Sequence, residues 1–239
     1  MRIVIVGPGA LGSLFAARLS LGGHDVRLLD HDPNRAALLQ EQGLLFEADG
    51  SARRVLVPAS ADPARIAEAE LLLLCVKSYA VREVLARLRD HWSPGTLLLA
   101  FQNGIAHLDA LPALPSSCRW GVGVTTEGAH LAAPCHVRHG GQGLTRLGFI
   151  APQSGPVRQQ MADAAAALSG AGFACEVVAD IRVVLWQKLL VNVGINALTA
   201  LYNCPNGRLL EIPAARERLI AAVQEAAQVA AAEGIVLSA

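Results

Sequence analysis

The amino-acid sequence predicts an α/β fold, a parallel sheet covered on both faces, followed by a small all-helical domain. Three observations carry that expectation. Short apolar runs alternate with helical stretches up to about Asp180, Leu71-Leu72-Leu73-Leu74-Cys75-Val76 is apolar without a break, as a strand buried on both faces should be, and beyond Asp180 the pattern is helical almost throughout. With 239 residues, 53% of them hydrophobic, the chain can build one large domain or one domain and a smaller companion.

In order along the chain, strands are expected at about 2–6, 26–30, 71–76 and 96–101, with helices between or after most of them. Gly22-Gly23 can end the first helix in the left-handed conformation. Asp32-Pro33 and Asp62-Pro63 each set a capping carboxylate before a proline suited to a first helical turn. Asp49-Gly50, between Leu44-Leu45-Phe46 and Val55-Leu56-Val57, fits a tight hairpin turn. From about 119 to 150 the strands become shorter and rich in glycine and threonine, then a helix near 156–169 and a strand near 173–178 follow. Helices are expected through about 202 and from about 213 to 232. The expected domains are therefore 1–179 and 180–239. Two helices make a small core, so the second domain must be completed by the first, by another subunit as in a homodimer, or by residues outside the chain.

Lys plus Arg and Asp plus Glu both number 20, and no basic run suggests a nucleic-acid surface. A small-molecule partner is expected instead. The chain enters an apolar strand at Arg2-Ile3-Val4-Ile5-Val6 without a signal-peptide pattern, which points to the cytoplasm. Cys75, Cys118, Cys135, Cys175 and Cys204 are widely spaced and form no C-x-x-C pair, so neither a disulfide framework nor a metal site is suggested. Residues 181–202 approach membrane-span length, but the central lysine costs roughly 2.5–3.5 kcal/mol on insertion scales, and no membrane partner is expected.

Gly7-Pro8-Gly9-Ala10-Leu11-Gly12 lies between a strand and a helix. In that setting Gly7 permits the tight turn, Gly9 admits a pyrophosphate close to the backbone, and Gly12 lets helix and sheet pack; the first domain therefore reads as Rossmann-type and dinucleotide-binding. Asp30, at the end of the second strand, can accept hydrogen bonds from both hydroxyls of the adenosine ribose and would repel a 2′-phosphate, which argues for NADH. His31 and Arg35 are near enough to offset a phosphate's charge, and a solvated loop acid is the alternative reading of Asp30.

Lys77 and Asn103 follow the third and fourth expected strands directly, where open parallel sheets bind ligands; each is equally an ordinary loop residue. More informative is the row Lys188, Asn192, Asn196 in an otherwise apolar helix. At intervals of four these residues share one face, within roughly 80° of arc, and the apolar residues around them suggest burial on several sides. Buried amides and ammonium groups need partners or a polar ligand, and a lysine in apolar surroundings loses basicity, which suits proton transfer. On periodicity alone, a lysine that reaches solvent by its long stem fits as well.

These residues resemble the ketopantoate reductases. The similarity runs through the glycine turn at 7–12, Gly23-His24-Asp25-Val26, Val76-Lys77, Gln102-Asn103-Gly104, Thr125-Thr126 and above all LWQKLLVNVGINALTALYNCPNG at 185–207. The resemblance implies reduction of ketopantoate to pantoate on the route to pantothenate, usually with NADPH. It implies Lys188 as general acid, Asn192, Asn196 and Asn206 around the substrate, and Lys77, Asn103 and the backbone near Ala129 at the cofactor, with Asn103 shared by both ligands. The sequence departs from the family at His31, preceded by Asp30, where an arginine for the 2′-phosphate is common. The helical domain is also shorter than the family's and lacks a counterpart of its downstream serine and glutamate, so it is expected to be incomplete, through either a fragment or a natural short form. Two alternatives stay open: a related dehydrogenase of another 2-keto or hydroxy acid, and a non-catalytic NAD(P)-binding module.

Overall fold

A computed structural model describes residues 1–115 and 117–237; residues 238 and 239, the end of the expected helical domain, lie outside the described residues. The chain divides into two compact units, one of residues 1–102 and 106–179, the other of 103–105 and 180–239.

In the first unit the strands are β1 (Arg2–Val6), β2 (Asp25–Leu29), β3 (Leu44–Ala48), β4 (Ser51–Val55), β5 (Ala59–Ser60), β6 (Leu71–Leu74), β7 (Leu97–Ala100), β8 (Arg119–Thr125), β9 (Gly128–Ala133), β10 (His136–Gly141), β11 (Leu144–Gly148) and β12 (Ala174–Val177). Its helices are α1 (Ala10–Leu21), α2 (Pro33–Gln42), α3 (Val81–Leu88) and α4 (Gly155–Gly170). Eight strands form the main sheet in the order β12-β11-β8-β7-β6-β1-β2-β5. All pairings are parallel except β11 with β8, so the sheet departs from the all-parallel expectation at one place. Every residue of β6 and β7 is buried, which is why both read as unbroken apolar runs.

A second sheet, β4-β3-β10-β9, has no counterpart in the sequence-based expectation. The Asp49-Gly50 turn does form, with φ of 51° and 72°, and closes the β3–β4 hairpin. That hairpin then pairs through β3 with β10 in parallel register, Leu45 opposite His136. Helix α1 packs against β1 and β2 on one side and against β3, β9 and β10 on the other. Being covered from both sides, it buries a continuous run from Gly12 to Ala17 instead of a single stripe. Phe15 is its centre, with ring centroids 4.8 Å from Phe101 and 5.1 Å from Phe173.

The second unit is built from α5 (Ile181–Tyr202) and α6 (Pro213–Ala232), with a short 3-10 turn at Asn206–Glu211. Asp180 caps α5 by accepting the amide of Arg182 at 2.9 Å, and Asn203 ends it in the left-handed conformation, φ 46°. The helices meet at Gly194, where a Cβ would stand 2.9 Å from Val223 Cγ2. Burial of α5 is narrower than its composition suggests: only Ile181, Leu185, Trp186 and Gly194 are fully buried, while Val191 is 58% exposed. Within this unit the long neighbour of α5 is α6 alone, and a single partner helix covers one stripe. Helix α5 is also the one helix among the described residues long and apolar enough to cross a membrane, a test that core helices of other proteins pass as well.

Candidate dinucleotide and substrate sites

In the main sheet, β1 stands between β2, which follows it, and β6, which comes later in the chain. The direction of winding reverses there, and the carboxyl ends of β1 and β6 open the crevice in which such sheets take ligands. Gly7 turns the chain out of β1 with φ 91°; its amide is held by Leu29 O at 3.0 Å, beside the end of β2. A Cβ on Gly12 would fall 2.3 Å from Gly7 O, so the turn and α1 approach as closely as glycine allows. A Cβ on Gly9, by contrast, would meet nothing within 4 Å. No side chain caps α1 at Gly9, and its first turn carries no acid. Open space over an uncapped, electropositive helix end fits a diphosphate. Pro8 is buried, and Ala10 and Leu11 are half-buried on the same turn.

Lys77 is exposed just beyond β6, and Ala129 is half-buried in β9. Asn103 follows Gln102 directly and is exposed, though it packs with the second unit. Gln102 itself is buried: its Nε2 donates to Leu74 O at 2.8 Å and Val76 O at 3.1 Å, tying the end of β7 to the end of β6.

Asp30 is not a solvated loop acid but a buried and paired one. Its carboxylate is fully buried and faces Arg35, whose Nη2 donates to Oδ1 at 2.8 Å and whose Nε donates to Oδ2. The Asp32 amide adds a bond to Oδ1 at 3.1 Å, and His31 Nδ1 lies 3.2 Å from the same oxygen. Burial alone would raise the pKa of this carboxyl, but the Arg35 bonds, the Asp32 amide and the charges of Arg35 and His31 outweigh it and hold the pKa below the ordinary range.

A second ionic cluster escaped the sequence reading altogether. Glu127 and His139, both buried, lie 2.7 Å apart; Arg18 Nη2 approaches His139 Nδ1 at 3.3 Å while its Nη1 donates to Gly172 O at 2.8 Å. Glu127 Oε1 also accepts the Gly143 amide at 3.1 Å. These residues are joined by pairing across strands and onto α1, and no local spacing signals that.

In the second unit Lys188, Asn192 and Asn196 lie on successive turns of α5. Lys188 and Asn192 are half-buried and Asn196 is exposed, as is Asn206 in the turn that follows. Burial lowers the pKa of Lys188 from its ordinary value.

A glycine turn at the switch point of a doubly wound parallel sheet defines a dinucleotide-binding α/β protein. Comparison with known proteins narrows that class. The family profile for Ketopantoate reductase PanE/ApbA matches residues 3–152, and the profile for its C-terminal part matches 180–239. A 2-dehydropantoate 2-reductase of Halobacterium salinarum is 38% identical over all of this chain and 78% of its own length. Among solved structures, a ketopantoate reductase from Ralstonia eutropha is similar with a TM-score of 0.89 and 31% identity, over 100% of this chain and 77% of that one. D-mandelate dehydrogenase with NADH and anilino(oxo)acetate also reaches 0.89, at 26% identity over 100% and 76%. The chain belongs to the ketopantoate reductase family, whose members are NAD(P)-dependent oxidoreductases that reduce ketopantoate to pantoate.

Proposed function

We propose that this chain reduces ketopantoate to pantoate with NAD(P)H, and that Lys188 is the general acid. The observation that carries the proposal is the half-buried Lys188, its basicity lowered by burial, in line on α5 with Asn192 and Asn196. The bound cofactor supplies the hydride that adds to the keto carbon. Lys188 in its ammonium form stabilises the alkoxide that develops on the keto oxygen and yields the proton that completes the hydroxyl. The amides of Asn192, Asn196 and Asn206 orient the keto acid through its oxygens, Asn103 serves substrate and cofactor, and Gly7–Gly12, Lys77 and the Ala129 backbone hold the dinucleotide. In this reading residues 1–179 bind cofactor and 180–239 carry substrate and proton chemistry. NADPH is the proposed donor, because Arg35 neutralises the carboxylate of Asp30 that would otherwise favour NADH. A cytoplasmic setting accords with five free cysteines.

Lys188→Ala is expected to lower turnover of ketopantoate by about 10²- to 10⁴-fold while the dinucleotide Kd barely changes. Near-normal turnover would remove Lys188 from the role. The likeness to D-mandelate dehydrogenase supports a second reading, reduction of another 2-keto acid. A panel of 2-keto acids separates the two: turnover of an aryl keto acid with ketopantoate untouched would establish the second.

A further inference from the structure

Given the proposed contact of the Ala129 backbone with the cofactor, we infer that Glu127 and His139 are positioning residues for the nicotinamide half of the dinucleotide. They form a buried pair that fixes the open main chain at 127–129 relative to helix α1.

Topology puts this main chain at the ligand edge. Strands β1, β6, β7 and β8 are parallel neighbours, so the end of β8 at Thr125 lies on the same edge of the sheet as Gly7 and Lys77. It also lies on the side of β1 away from β2. A dinucleotide laid across the switch point with its adenosine toward β2 therefore carries its nicotinamide toward β7 and β8. Thr126 and Glu127 lead from there into β9, where Ala129 stands opposite His139. Glu127 is half-buried as a residue, yet its side chain is only 1% exposed. What lies open at Glu127 is main chain.

The contacts beneath it use both oxygens of Glu127 and both ring nitrogens of His139. Glu127 Oε1 accepts the Gly143 amide at 3.1 Å, and its Oε2 meets His139 Nε2 at 2.7 Å. Arg18, in the last turn of α1, can only donate, so His139 Nδ1 accepts from it at 3.3 Å and the ring proton is assigned to Nε2, toward Glu127. Arg18 is fixed in turn by Gly172 O at 2.8 Å and by the face of Phe173, whose centroid is 5.0 Å from its guanidinium carbon. The Glu127 amide donates to Thr125 Oγ1 at 3.1 Å, and that hydroxyl is 2.8 Å from Thr145 Oγ1. Two glycines let the segments close: a Cβ on Gly143 would lie 2.3 Å from Thr126 C, and one on Gly128 3.1 Å from Gly140 C. Arg18 belongs to the helix that the glycine turn opens, so one chain of hydrogen bonds joins that helix to the start of β9 and sets their spacing. The His139 side chain is 4% exposed. With both side chains closed off from ligands, their effect on the dinucleotide passes through the backbone they hold.

The test compares the unaltered chain with Glu127→Gln and the double variant Glu127→Gln/His139→Gln. Each is titrated, at a temperature where it is folded, with NADPH or NADH, whichever the unaltered chain binds more tightly, and with the matching adenosine fragment, 2′,5′-ADP or 5′-ADP. Backbone hydrogen exchange at 127–129 is followed with and without the dinucleotide. Glu127→Gln turns an amide donor onto the donor Nε2 and breaks the chain of bonds. The double variant sets two neutral amides in place of the pair, leaves no unpaired carboxylate, and serves if Glu127→Gln does not fold. In the unaltered chain the dinucleotide should slow exchange at 127–129. Glu127→Gln should weaken the dinucleotide about 5- to 50-fold and leave the fragment unchanged, and the double variant, whose amides can bond each other, should lose less. A general loss of folded structure would weaken fragment and dinucleotide alike. Such an equal loss, or unchanged dinucleotide affinity in both variants, would overturn the positioning role while leaving the Ala129 contact in place. No protection at 127–129 under saturating dinucleotide would remove that contact itself, and the positioning role with it.

Discussion

Burial lowers the pKa of two bases, Lys188 and His107, that of His107 to about 4. Their settings differ. Lys188 shares a helix face with two amides that suit a polar ligand, whereas His107 lies in a 3-10 turn with neither ring nitrogen bonded. For His107 the cost appears as pH dependence. The folded chain keeps the ring neutral down to about pH 4, while the unfolded chain takes up a proton near 6.5. Its contribution to stability is therefore intact above 6.5, is lost progressively between 6.5 and 4, and changes no further below that. The loss amounts to about 3 kcal/mol at most. His107→Phe should flatten the fall of Tm between pH 6.5 and 4; an unchanged slope would assign the acid sensitivity to other groups. Nothing in Ala106-His107-Leu108 marks the histidine as buried, whereas the four-residue spacing of Lys188, Asn192 and Asn196 was legible because helix geometry alone sets their common face.

Helices α1 and α5 illustrate the same limit at the scale of elements. Both are strongly apolar, yet α1 is enclosed between two sheets and α5 is buried along a narrow stripe. Local composition registers that a helix is apolar, not how many neighbours it has. The α5–α6 contact depends on the missing side chain at Gly194, where Val223 Cγ2 and Leu219 Cγ would stand 2.9 and 3.4 Å from a Cβ. Gly194→Val should push the helices apart and cost about 1–3 kcal/mol, read as a lower urea midpoint at unchanged slope. Equal or greater stability would mean that the gain in helix propensity outweighs the crowding. Caps and turns were the most legible features of all, since Asp32-Pro33 and Asp49-Gly50 act over two or three residues.

Across the whole molecule, the dinucleotide should stabilise the fold by mass action. NADPH at a hundred times its Kd is expected to add about 2.7 kcal/mol, which for a chain of this size raises Tm by roughly 5–10 °C. A melting scan with and without the nucleotide measures it, and no shift at saturating NADPH would count against a dinucleotide site in the first unit. The shift should be far smaller for Gly9→Val, whose side chain would occupy the open space above the turn.

What the sequence determined by itself is whatever short-range sterics and periodicity control. The buried strands, the glycine turn, the hairpin and the polar row on α5 all follow from spacings of a few residues. What only the tertiary structure decided is which distant groups meet. The pairing of β3 with β10, the Arg18–His139–Glu127 cluster and the double-sided burial of α1 join residues far apart in the chain, which no local pattern encodes. Asp30 lies between the two cases: its position after β2 is a sequence fact, but Arg35, five residues on, folds back over it because a buried carboxylate must be paired.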